Sequence, residues 1–262
     1  MTGLQDLRFE TGAATHVGKV RAQNEDNFLT RPEIGLWCVA DGMGGHEAGG
    51  LASAAIVEAL RHVRPPATAA DLLAACRQSL IDANAAIRAI ATARGFALVG
   101  ATVVVLLASG RHFACLWAGD SRLYRIRAAT AAQLTRDHSE VQDMVDRGLL
   151  SDDEARTWPG RNVITRAIGA SPAPDLDMIQ GDIEPGDVFL LCSDGLTTHV
   201  ADDEIAARAT ARPPQDGCAA LVDLTLERGA ADNVTVVIVR ASAVERTIVA
   251  AAPPRPAPRE RP

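Results

Sequence analysis

Three apolar runs in this chain end at an aspartate. Leu36-Trp37-Cys38-Val39-Ala40 leads into Asp41-Gly42, Cys115-Leu116-Trp117-Ala118 into Gly119-Asp120, and Val188-Phe189-Leu190-Leu191-Cys192-Ser193 into Asp194-Gly195. A fourth aspartate, Asp232, immediately precedes the stretch 233–239. Each carboxylate stands where a strand-like run meets a turn, and Gly42 and Gly195 let the chain turn sharply and approach a ligand closely. One Asp-Gly after a strand is ordinary turn chemistry. Four such aspartates are a different matter if the strand ends converge. Two like charges about 4 Å apart cost on the order of 4 kcal/mol at an effective dielectric near 20, so a cluster needs protons or cations to persist. Oxygen ligands suit magnesium, manganese and calcium, whereas zinc normally takes cysteine or histidine. The six histidines (His16, His46, His62, His112, His138 and His199) show no paired ligand spacing. Mg2+ or Mn2+ is therefore the expected cofactor.

Those turns need a scaffold. Glu47–Val63 is Ala-rich and free of proline, and Thr68–Ala93 repeats Leu72, Leu73, Cys76, Leu80, Ile87 and Ile90 at helical spacing, so both read as helices. Residues 99–107, 111–119, 122–127, 187–192 and 234–239 read as strands from their β-branched and apolar content. Residues 204–211 and 219–228 read as a second pair of helices. Regular βαβ alternation is absent, so the expected class is α+β, with helices packed on antiparallel sheets.

Composition sets outer limits. The chain has 262 residues, 47% hydrophobic and 23% charged, enough for a substantial core. A net charge of -7 speaks against a nucleic-acid partner, which a basic face would serve. Five cysteines without a C-x-x-C pair, three of them inside apolar runs, read as buried thiols in a reducing compartment. The start MTGLQDLRFE lacks a signal-peptide pattern, and the longest apolar run, roughly 12 residues over 97–108, is too short to span a bilayer. These features predict a cytoplasmic protein with no membrane anchor. Residues 1–242 are expected to form one domain, and 243–262, which ends in AAPPRPAPRERP, a disordered tail.

The ordered set of motifs resembles the bacterial metal-dependent protein serine/threonine phosphatases of type 2C, the PPM family. It comprises VRAQNED (20–26), VADGMGG (39–45), GAT (100–102), AGDSR (118–122), LTRDHS (134–139), LCSDG (191–195) and DNVT (232–235). The resemblance covers about Gly12 to Val239. It implies a four-layer αββα sandwich, two antiparallel sheets flanked by helix pairs. It also implies that Asp41 bridges two metal ions, that the Gly42 carbonyl binds one of them, and that Asp194 and Asp232 complete the other site. Glu25 would hold a metal-bound water, and Asp120 with Asp194 would form a third, weaker site. Such a pair of ions activates a water for in-line attack on phosphorus, and the planar fork of Arg21 matches two phosphate oxygens.

One position departs from the family. Where many members carry a histidine proposed to protonate the leaving group, this chain has Met43, and His46 is the nearest replacement. Asp137–Gly169 falls where the family has a mobile flap, expected to shape peptide selection more than chemistry. The implied activity is hydrolysis of phosphoserine and phosphothreonine in proteins by a monomer whose partners are phosphoproteins and a cognate kinase. The alternatives are a small-molecule phosphatase or phosphodiesterase with the same metals, and an inactive phosphoprotein-binding regulator. The full set of carboxylates disfavours the inactive reading.

Overall fold

In the computed structural model, residues 7–44, 48–65, 67–97, 99–160 and 162–244 are described. One sheet has the order β1 (Leu7–His16), β11 (Val234–Ala243), β10 (Val188–Cys192), β7 (Arg122–Arg127) and β8 (Thr130–Gln133). The other has the order β2 (Asp26–Arg31), β3 (Leu36–Met43), β5 (Val103–Ser109), β6 (His112–Ala118) and β9 (Asp177–Asp182), with the short β4 (Gly100–Ala101) also on β3. Every pairing is antiparallel. Helices α1 (Ala48–Arg61) and α2 (Ala69–Arg94) pair with each other, as do α6 (Asp202–Ala211) and α7 (Pro214–Glu227).

The period-2 alternation of a strand explains the layers. Leu36, Cys38 and Ala40 of β3 pack with Ile56, Leu60, Leu72 and Leu80 of α1 and α2. The residues between them, Trp37 and Val39, join Phe189, Leu191, Val237 and Val239 of the opposite sheet. On that sheet Leu190, Cys192, Val236 and Ile238 turn outward onto Ile205, Ala209, Cys218 and Leu221 of α6 and α7. The central strands are covered on both faces, which is why they read as continuous apolar runs. The result is the expected αββα sandwich. Among the described residues, no helix is long and apolar enough to cross a membrane.

Several boundaries differ from the sequence reading. α7 begins at Pro214, five residues before the expected start, because Pro213 and Pro214 open the helix instead of breaking it; a first-turn proline gives up no intrahelical bond. The expected strand 99–107 is split by Thr102, whose N–H donates to the Asp41 carbonyl at 2.8 Å. β11 continues through Ala243, one residue past the expected end of the domain; the tail beyond 244 lies outside the described residues. Thr68 caps α2, accepting from the Asp71 N–H at 3.1 Å.

Candidate active site

The aspartates gather where strands of both sheets end. Asp26 opens β2 directly opposite Asp41 on β3, in register. Asp120 follows β6 through Gly119, whose φ of 111° is a left-handed value that glycine adopts without strain. Asp194 follows β10 and starts the single-turn α5 (Asp194–Thr197), and Asp232 precedes β11. Asp41, Asp120, Asp194 and Asp232, together with Arg21, Glu25, Gly42, Met43 and Thr102, line a cleft of about 550 Å3, to which Asn162 and Ile164 of the flap also contribute, while Asp26 is buried behind Asp41.

Electrostatics confirm the convergence. Asp41 is held well above its ordinary carboxylate pKa, first by burial and then by the charges of Asp26, Asp194, Asp120 and Asp232. Asp194 is also raised by burial and by Asp232, tempered by a hydrogen bond from Asp41. Asp120 is pushed up to about 8 by burial and by Asp194 and Asp137. Asp26 rises to about 6 through burial, although its Oδ2 accepts from Ser193 Oγ at 2.8 Å and Thr235 Oγ1 at 2.7 Å. Its Oδ1 is buried and, among the described residues, has no hydrogen-bond partner. In a cluster of this kind, protons occupy sites that cations could fill.

Hydrogen bonds fix the loops that carry these groups. Asn233 Oδ1 accepts the Glu25 N–H at 2.8 Å, and its Nδ2 donates to the carbonyls of Val17 at 2.9 Å and Gln23 at 3.0 Å. The segment bearing Arg21 and Glu25 is thus pinned to the start of β11. Thr102 Oγ1 and Ser121 Oγ lie 2.6 Å apart and tie the Asp41 and Asp120 turns together. A Cβ on Gly49 would stand 2.7 Å from the Gly42 carbonyl carbon, so the start of α1 can lie this close to the Asp41 turn only as glycine. His138, buried, accepts the Gly119 N–H at Nδ1 (3.2 Å) and bonds Asp177 at Nε2 (3.1 Å), a structural role beside Asp120. The flap is closed at its stem by Glu140 N–H to Val163 carbonyl (3.0 Å) and Thr165 N–H to His138 carbonyl (2.8 Å). Between these lie α3 (Glu140–Asp146) and α4 (Asp152–Thr157).

The cleft thus brings together Arg21, Glu25, Asp41, Gly42, Asp120, Asp194 and Asp232, all expected from sequence. His46 lies outside the described residues. Sequence reasoning passed over Asp26 and Asn233. Both sit inside quoted motifs, but only the register opposite Asp41 and the loop-pinning bonds reveal what they do.

The donor set suits a hard divalent cation: carboxylates and a carbonyl, raised carboxylate pKa values, and a buried oxygen without a partner. Among the described residues, no three His, Cys, Asp or Glu groups are placed so as to hold one metal ion together without rearrangement. Asp232 is instead bound to Arg21.

The family described as Protein phosphatase 2C matches residues 15–226. The chain belongs to the protein phosphatase 2C family. A Mycobacterium tuberculosis relative named serine/threonine protein phosphatase PstP is 36% identical over 223 residues, covering 84% of this chain and 43% of its own length. The chain therefore spans less than half of that relative. Among solved structures, PppA, described as a key regulatory component of T6SS in Pseudomonas aeruginosa, superposes with a TM-score of 0.83 at 42% identity. That match covers 89% of this chain and 97% of the other. The PstP catalytic domain in complex with two manganese ions gives 0.78 at 34% identity, over 90% and 99% of the two chains.

Proposed function

We propose that this protein phosphatase 2C member hydrolyses phosphoserine and phosphothreonine in proteins with the help of Mn2+ or Mg2+. The observation that carries the reading is Asp41, half-buried in the cleft wall and in the field of four further carboxylates from two sheets. Asp41, the Gly42 carbonyl, Asp194 and Asp232 would hold two ions, and Asp120 with Asp194 a third, weaker one. When bound, the cations polarise phosphoryl oxygens and lower the pKa of water.

The chain's own groups supply the rest. Arg21 would orient the phosphate through its planar fork, and Glu25 would hold the attacking water by accepting its hydrogen bond. Asp26, fixed by Ser193 and Thr235, would keep its second oxygen turned toward the cluster. A thiol nucleophile finds no support. All five cysteines are buried, and burial pushes Cys76, Cys192 and Cys218 up to about 12. Met43 has no proton to give, so protonation of the leaving oxygen falls to His46, to water or to an aspartate of the cluster. Free buried thiols support a cytoplasmic setting, with phosphoproteins and a cognate serine/threonine kinase as partners of a bacterial monomer.

The test is phosphate release from a phosphothreonine peptide and from a bis-aryl phosphodiester. After EDTA treatment and dialysis the protein should be inactive, and Mn2+ should restore peptide turnover while the diester stays slow. Turnover in EDTA, or a diester rate above the peptide rate, overturns the proposal.

A further inference from the structure

Arg21 is already engaged by an anion of this chain. Its Nε donates to Asp232 Oδ1 at 2.9 Å and a terminal nitrogen donates to Oδ2 at 2.7 Å, so the guanidinium meets the carboxylate fork to fork. The contact joins the segment between β1 and β2 to the residue before β11, and both residues line the cleft. It occupies both oxygens of Asp232, a carboxylate assigned above to a cation. It also uses the paired N–H groups that would receive a phosphate. The side chains are 57% and 38% exposed, so water screens the pair and keeps it exchangeable.

Resting on the phosphatase reading above, we infer that Asp232 and the substrate phosphate compete for the Arg21 fork, and that a divalent cation binding Asp232 decides the competition. With Asp232 engaged by a cation, the Arg21 fork would be free to turn to the phosphate. Binding is ordered, cation before phosphate. Linkage makes the coupling reciprocal: the pair weakens cation binding, and phosphate on Arg21 strengthens it. Without the cation, phosphate faces an occupied fork and an uncompensated carboxylate cluster. The same contact gives the cation-free cleft a countercharge, since Arg21 also lies in the field of Glu25 and Asp41.

The side-chain Nε–H resonance of Arg21, assigned by its loss in Arg21→Met, reads the exchange directly. In EDTA it should sit at a hydrogen-bonded position and move in Asp232→Asn. Mg2+, a diamagnetic probe, should shift it in the wild type, and orthophosphate added after Mg2+ should shift it again. A resonance unmoved by saturating Mg2+, or moved equally by orthophosphate in EDTA, overturns the inference. Calorimetry supplies a second reading: Arg21→Met should bind Mn2+ about two- to fivefold more tightly. Arg21→Lys, which keeps the charge and loses the fork, should recover part of that gain. Unchanged affinity in Arg21→Met, or a gain there with wild-type affinity in Arg21→Lys, removes the paired geometry from the explanation. Failure here with normal phosphopeptide turnover sinks only this exchange. The exchange without any turnover sinks the phosphatase reading instead.

Discussion

Asp41 and Asp26 face each other across one antiparallel pair, yet the protein surrounds them differently. Asp26 has two hydroxyl donors on Oδ2, whereas Asp41 is surrounded by four other carboxylates. Asp41→Asn keeps the shape and removes the full negative charge that the proposed cation site would need. It should lower Mn2+-dependent turnover by at least about a thousandfold, corresponding to roughly 4 kcal/mol of transition-state stabilisation. The rise in melting temperature that Mn2+ confers should shrink with it, while the far-UV circular dichroism stays that of the parent. Turnover within tenfold of the parent would remove Asp41 from the centre of the mechanism. Asn233 tests positioning instead of charge. It is buried and makes three bonds to the backbone of 17–25. Asn233→Ala should cost about 2–4 kcal/mol, with buried groups left unpaired, and lower the melting temperature by about 5–10 °C. A loss below about 1 kcal/mol in chemical denaturation would mean the loop is held by other contacts.

Which elements could be foreseen depended on whether their burial is written locally. α1, α2, β10 and β11 were legible because a helical stripe or a continuous apolar run identifies them without knowledge of their neighbours. β1 was not. LRFETGAATH carries little apolar signal, and the strand exists because all ten of its residues pair with β11. The four strand-end aspartates were legible for the same local reason as their strands, whereas the part played by Asp26 rests on a long-range register that no local pattern records. α7 was shortened because prolines punctuate most sequences but open this helix. The flap was anticipated from family position, and its construction explains why it can vary. α3 has no buried residue, and the flap's stem closes through two backbone pairs at 138–140 and 163–165. Replacing 141–162 with a short Gly/Ser linker should change the ranking of phosphopeptides by kcat/KM several-fold. Mn2+-dependent hydrolysis of a small aryl phosphate should stay within about threefold. Equal collapse of both activities would make the flap part of the catalytic apparatus.

The cleft is also where the two sheets of the sandwich are joined electrostatically. Asp26, Asp41 and Asp120 come from one sheet, Asp194 and Asp232 from the other. Repulsion among them acts on the packing of the whole molecule, and a bound cation would clamp it. The pH dependence follows from the raised carboxylates. A folded pKa of about 6 for Asp26 and about 8 for Asp120, against 3.8 for the ordinary carboxylate, means the folded chain holds protons that the unfolded chain has released. Stability from these groups is fully present below about pH 4 and is lost as pH rises through 6 and 8, because in that window folding takes up protons. Asp177 and Glu204, whose pKa values are lowered, act in the opposite sense, but only at acid pH below their unfolded values. Cations bind the deprotonated carboxylates and displace the protons, so their contribution grows across the same window. The melting temperature in EDTA should therefore fall by at least a few degrees between about pH 5.5 and pH 8, while that in millimolar Mn2+ stays flat or rises. The gap between the two curves should widen with pH. A gap that is constant, or that narrows toward pH 8, would show that cation binding does not displace protons from these carboxylates, and the shared-site electrostatics would have to be abandoned.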